Sequence, residues 1–137
     1  MDSLNLEPYT VKLRLSRQEN GSKYSYNKTI TFFTEHLAQL CMLEKDSLIG
    51  HIKGFATDSE GSWLRVSVTD EKHPAHLEGR ISGKPEYVNL ILNINVLGVP
   101  ADKIKTLLND LINNPVICNS VSIVMIPPEG KKEFVCI

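Results

Sequence analysis

The stretch Ile49–Val66, IGHIKGFATDSEGSWLRV, sets His51 and Lys53 two positions apart, then Trp63 and Arg65 two apart after a polar turn. Along an extended strand, residues at i and i+2 point to the same side. One strand therefore presents an imidazole and an ammonium together, and the next presents an indole and a guanidinium. Arginine grips a carboxylate or phosphate with two parallel hydrogen bonds, and lysine supplies a compact positive charge. An indole can stack a flat ring. Asn89, Asn93 and Asn95 alternate with apolar residues in YVNLILNINVLG, and each amide offers both a donor and an acceptor. Lys12 and Arg14 share the polar side of TVKLRLSR. The candidate binding set for an anionic small molecule is His51, Lys53, Trp63, Arg65 and Asn93. The same chemistry would serve single-stranded nucleic acid. A net charge of −1 and a pI near 6.4 make nucleic acid the less favoured partner. The plainer alternative is a solvated sheet face, since charged strands resist edge-to-edge aggregation. Asparagine is a poor strand former, so a row of them weighs against that alternative.

A second constellation is HPAH, which gives His73 and His76 at H-x-x-H spacing. Two imidazoles in a turn could share a divalent metal, with His51, Glu71 or Glu78 completing the set of three or four ligands zinc requires. An enzyme would use His51 as general acid or base, with Lys53 holding an anionic substrate, and would need a cleft around them. Neither a nucleophile elbow, a Walker loop, a dinucleotide fingerprint nor H-E-x-x-H is present, and no cofactor is named by the sequence. Cys41, Cys118 and Cys136 are widely spaced, unpaired by any C-x-x-C and set in apolar surroundings, so they read as buried, inert thiols of a reducing cytoplasm.

These side chains need elements to hold them. TVKLRLSR alternates as a half-buried strand, QENGSK reads as a tight turn, and YSYNKTITFF reads as its return strand because aromatic and β-branched residues dominate. Thr34 then reads as the cap of a helix, TEHLAQLCMLEKD. LIGHIKGFA and SWLRVSVT form a hairpin about TDSEGS, and LEGRI is a short strand. YVNLILNINVLG has a clear two-residue period. PADKIKTLLNDLINN carries Ile104, Leu107, Leu108 and Leu111 on one helical stripe. VSIVMI is apolar on both sides and reads as a covered strand, with KKEFVCI as a final edge strand.

The expectation is α+β: an antiparallel or mixed sheet of about six to eight strands with two helices on one face. The 137 residues make one domain, with residues 1–8 as a flexible tail. The acidic N-terminus has no signal-peptide character and no run is long enough to span a membrane, which points to a cytoplasmic protein. The open side of such a sheet must meet water, a ligand or a second subunit. Homo-oligomerisation through the sheet is therefore expected alongside the anionic ligand.

Overall fold

The computed structural model describes residues 8–17, 25–70, 72–118 and 121–127. In chain order the elements are β1 (Tyr9–Arg17), α1 (Tyr26–Met42), β2 (Leu48–Thr57), β3 (Trp63–Val68), β4 (His76–Arg80), β5 (Tyr87–Leu97), α2 (Ala101–Ile112), α3 (Pro115–Cys118) and β6 (Val121–Ile126). The strands form one six-stranded sheet in the order β4-β3-β2-β5-β1-β6, with every neighbouring pair antiparallel. β1 and β2 both run against β5, so they are parallel to each other with β5 between them. In the same way β5 and β6 flank β1. The segments β1-α1-β2 and β5-α2-β6 are thus interlocked split βαβ units, and the β3-β4 hairpin extends the sheet at the β2 side. The α+β expectation, with an antiparallel sheet and helices on one face, matches this architecture.

One side of the sheet is apolar from end to end. Leu13 and Leu15 of β1, Ile52 and Ala56 of β2, Leu64 and Val66 of β3, and Leu90, Leu92 and Ile94 of β5 are buried. They meet Ile30, Phe33 and Leu37 of α1 and Ile104, Leu108 and Leu111 of α2, also buried. Fully burying one such side chain is worth about 1.5–3 kcal/mol, and this layer is where the fold gains its driving force. Gly54 belongs to this side. A Cβ there would sit 2.8 Å from Val66 Cγ1 and 3.0 Å from Leu92 Cδ2, so neighbouring side chains close over the glycine.

α1 is the main correction to the sequence reading. YSYNKTITFF is not a return strand: the helix starts at Tyr26, and Ser25 caps it by accepting the Lys28 N–H at 3.3 Å. Thr34 lies inside the helix, its hydroxyl donating to the Ile30 carbonyl at 2.7 Å. The buried positions Tyr26, Thr29, Ile30, Phe33, Thr34, Leu37, Ala38 and Cys41 make one unbroken stripe at three- and four-residue intervals. Packing of that stripe on the sheet overrides the strand preference of its Tyr, Thr, Ile and Phe residues. Lys28, inside the segment read as a strand, therefore belongs to the helix. The turn QENGSK, the final strand KKEFVCI and nearly all of the N-terminal tail lie outside the described residues. β6, expected to be covered, ends the described sheet with Val124 exposed.

α1 also fixes the hairpin extension. The Asn27 side chain donates to the Ile81 carbonyl at 3.0 Å and accepts from the Ile81 N–H at 2.9 Å. The Tyr26 hydroxyl donates to the carbonyls of Pro85 and Glu86 at 2.8 and 3.0 Å, and Glu35 accepts the Ala75 N–H at 2.7 Å. These bonds satisfy backbone groups of the loops on either side of β4, which makes few other contacts with the helical layer.

Candidate functional site

No helix among the described residues covers the outer side of the sheet, and the strand register sets its side chains in cross-strand rows. One row runs His76, Ser67, Lys53, Asn93 and Thr10 across β4, β3, β2, β5 and β1. The next runs Glu78, Arg65, Phe55, Ile91, Lys12 and Ile126, and the third runs Arg80, Trp63, Thr57, Asn89, Arg14 and Val124. His51 stands opposite Asn95, just past a β-bulge between Ile49 and His51. Every residue of the predicted binding set, together with Lys12, Arg14 and the three asparagines, thus lies on this one face. Lys12, Arg14, Lys53, Arg65 and Arg80 meet a single carboxylate among the described strand residues of the face, Glu78.

The face is not simply hydrophilic. Phe55, Trp63, Ile91 and Val124 are 40%, 40%, 42% and 52% exposed, far from what a purely solvated surface needs. Phe55 and Trp63 touch across β2 and β3, with ring centroids 6.3 Å apart and planes tilted by 30°. The Arg65 guanidinium lies 5.3 Å from the Trp63 ring centre and 5.8 Å from that of Phe55, and its ion pair with Glu78 is loose at 3.9 Å. On the other flank Arg14 donates to Asn89 Oδ1 at 3.0 Å and lies 4.4 Å over the Tyr87 ring. Cations resting on ring faces are held in place by the negative quadrupole of the ring while their remaining donors stay free.

A shallow depression of about 650 Å³ opens on this face. Phe55 and Ile91 are among its apolar lining residues, and Lys53, Arg65, His76 and Asn93 are among its polar ones. Of the predicted set, Lys53, Arg65 and Asn93 line it, whereas His51 and Trp63 stand outside. The half-buried Asn93 brings an anomaly: its Oδ1 is shielded from solvent and finds no hydrogen-bond partner among the described residues. Leaving such an acceptor unpaired costs about 1–3 kcal/mol. Phe55, Ile91, His76 and Glu78 were missed as lining residues. Their outward position in the two-residue alternation was a usable signal for Phe55 and Ile91, but the pairing of β4 with β3 was not readable from the chain.

Trp63 owes its position to a glycine. Gly79 has φ of +75°, and its missing Cβ leaves room for the indole, whose Cε3 and Cζ3 would lie 2.7 Å from that atom. The turn between β2 and β3 is held by Asp58, which accepts the N–H groups of Glu60 and Ser62 at 2.9 and 3.0 Å and the Ser62 hydroxyl. These bonds, the Ser62 hydroxyl foremost, hold the Asp58 carboxyl below its usual value. A depressed folded-state pKa stabilises the turn above the unfolded-state value of about 4, and that contribution disappears as pH falls through the lower folded value. Hydrogen exchange corrected for intrinsic rates should thus show the Glu60 and Ser62 amides losing protection as pH falls from about 5 through the depressed folded value. Unchanged protection would contradict this role for Asp58.

The two histidines of HPAH part company. His73 turns its Nδ1 to Asp70, 2.8 Å from Oδ2, beside a separate concavity of about 300 Å³ that Glu35 also lines. His76 sits on the outer sheet face opposite Ser67. Among the described residues no three His, Cys, Asp or Glu side chains gather into a group that could hold a metal ion. Glu71 lies outside the described residues. Burial, with a smaller push from Glu44, raises the Cys41 thiol to about 11, which keeps it protonated and unreactive.

No protein-family model matches this chain, and no curated protein matches it. Among solved structures it is similar to zinc-bound YjiA GTPase from E. coli, at 13% identity and a TM-score of 0.35, over 77% of this chain and 30% of that one. A zinc-bound triple mutant of YjiA GTPase matches over the same shares, at 13% identity and a TM-score of 0.36. The chain therefore spans about 30% of the length of these proteins, and a likeness this distant bears on neither activity nor ligand. No helix among the described residues is long and apolar enough to cross a membrane.

Proposed function

We propose that this chain is a binding module whose working surface is the outer face of its sheet, with an anionic group seated in the depression over Phe55 and Ile91. The observation that carries this reading is the separation of charge. Arg14, Lys53, Arg65 and Arg80 are set on that face with Glu78 as the single carboxylate among its described strand residues, although the whole chain is slightly acidic. Arg65 and Lys53 flank the depression from adjacent strands, and Asn93 stands directly across from Lys53. An anion there gains charge-assisted bonds and displaces only the loose Arg65–Glu78 pair, which is worth little at such exposure.

Self-association through this face is the weaker alternative. A two-fold contact sets a patch against its own copy, so Lys and Arg would meet Lys and Arg. A partner subunit on this face would need acidic groups of its own. The test is the fluorescence of Trp63, the single tryptophan, during titration with anionic metabolites. Arg65→Ala should weaken a saturable response about tenfold or more, the usual worth of a hydrogen bond to a charged group, with unchanged far-UV circular dichroism. Equal affinity of variant and wild type would refute the proposed site.

A further inference from the structure

Resting on that reading, we propose that the occupant is a single strand of nucleic acid lying across the strands of the sheet. The cations are spread too widely for one small anion. Arg80 is on β4, Arg65 on β3, Lys53 on β2, and Arg14 on β1, with β5 between the last two strands. Four steps at a strand spacing of about 4.8 Å separate β4 from β1 by about 19 Å. A polyanion reaches across that width and a lone phosphate does not.

Between the cations the face offers what bases need. Trp63 and Phe55 expose ring surface on adjacent strands, and Tyr87 lies on the opposite flank beneath Arg14. Base stacking on such rings tolerates any sequence, because every base has a π-face. The orphaned Oδ1 of Asn93 discriminates further. If its amide turns outward, the oxygen can accept from the amino and ring N–H groups of bases while the NH2 donates to base carbonyls, whereas a phosphate or carboxylate can use only the donor side. An acidic peptide would satisfy the cations, but peptides dock by strand addition at an edge or by filling a groove, and this face is an open sheet surface. In a duplex the ring faces of the bases are already stacked on one another, so only a single strand can use the aromatics. The near-neutral total charge is no obstacle, since Glu35, Glu44, Asp46, Asp58, Asp70 and Asp102 all stand on helices and turns and not on the strands that form this face.

The test follows Trp63 fluorescence with an oligothymidylate of about fifteen nucleotides, its RNA equivalent, a duplex of equal length, a nucleoside triphosphate and polyglutamate. Saturable binding of the single strands is expected, weakening with salt at a log–log slope near −0.7 per phosphate contact. Lys53→Ala and Arg14→Ala should each reduce that slope by about 0.7. Phe55→Ala should weaken binding between about fivefold and a hundredfold, and circular dichroism checks its fold. Lys53→Ala alters only an exposed side chain, so the test remains decisive if Phe55→Ala fails to fold. Equal binding of duplex or polyglutamate, or a triphosphate that binds as well as the oligonucleotide, would overturn the nucleic-acid assignment and leave the anion-binding face standing. No response to any probe would remove both.

Discussion

Replacing Gly79 by alanine should destabilise the fold by roughly 2–5 kcal/mol and shift the emission of Trp63 to the red. A residue with a Cβ loses about 1–2 kcal/mol on entering the left-handed region, and Gly79 has φ of +75°. Overpacking adds about 1–3 kcal/mol more. The new Cβ would sit 2.7 Å from two indole carbons and 2.6 Å from the Trp63 carbonyl oxygen. The indole can swing away into solvent. The carbonyl cannot, because Trp63 is paired with Arg80 on one side and Thr57 on the other. The ring and the strand edge are therefore coupled, and the variant reports on both. Chemical denaturation followed by tryptophan emission measures the two effects together. An unchanged midpoint with unchanged emission would mean that Gly79 does not hold Trp63 in place.

Asn93→Val should have opposite effects on stability and on binding. Valine removes an acceptor that is buried without a partner and replaces a poor strand former with a good one, for a gain of about 1–2 kcal/mol in the free protein. The same change removes the side-chain amide that stands across from Lys53 in the depression. Affinity for the oligonucleotide should fall at least tenfold, since base recognition is lost while the electrostatic attraction remains. A residue that weakens the free protein yet serves its ligand is the expected trade-off of a binding site. Thermal melting and Trp63 titration of the variant check the two halves. A lower melting temperature, or binding indistinguishable from wild type, would show that Asn93 has no such role.

Much of this architecture is written in two simple periods. Leu13 and Leu15 against Lys12 and Arg14, and Leu90, Leu92 and Ile94 against Asn89 and Asn93, reveal both strands and their polar side at once. Ile104, Leu107, Leu108 and Leu111 reveal α2 equally clearly. The segment 26–34 hides its helix because its buried stripe is built from Tyr, Thr, Ile and Phe, whose local preference is for strands. Only continuation of the stripe through Leu37, Ala38 and Cys41 gives the period away. The candidate site was legible as a set of outward residues and illegible as a place. Whether Lys53 neighbours Asn93 depends on β5 pairing with β2, a long-range choice that no local pattern encodes. The same holds for His76. Its spacing from His73 suggested a shared metal, yet β4 carries it to the sheet face while Asp70 holds His73 in a loop.

The most direct test of the working face is an amide chemical-shift map of the isotopically labelled protein during titration with the same oligothymidylate. Shifts are expected on β2, β3 and β5, centred on Lys53, Arg65 and Asn93, with the amides of α1 and α2 unmoved. Shifts gathered instead around His73 and Glu35, or spread along the helices, would contradict it and move the functional surface to the other side of the molecule.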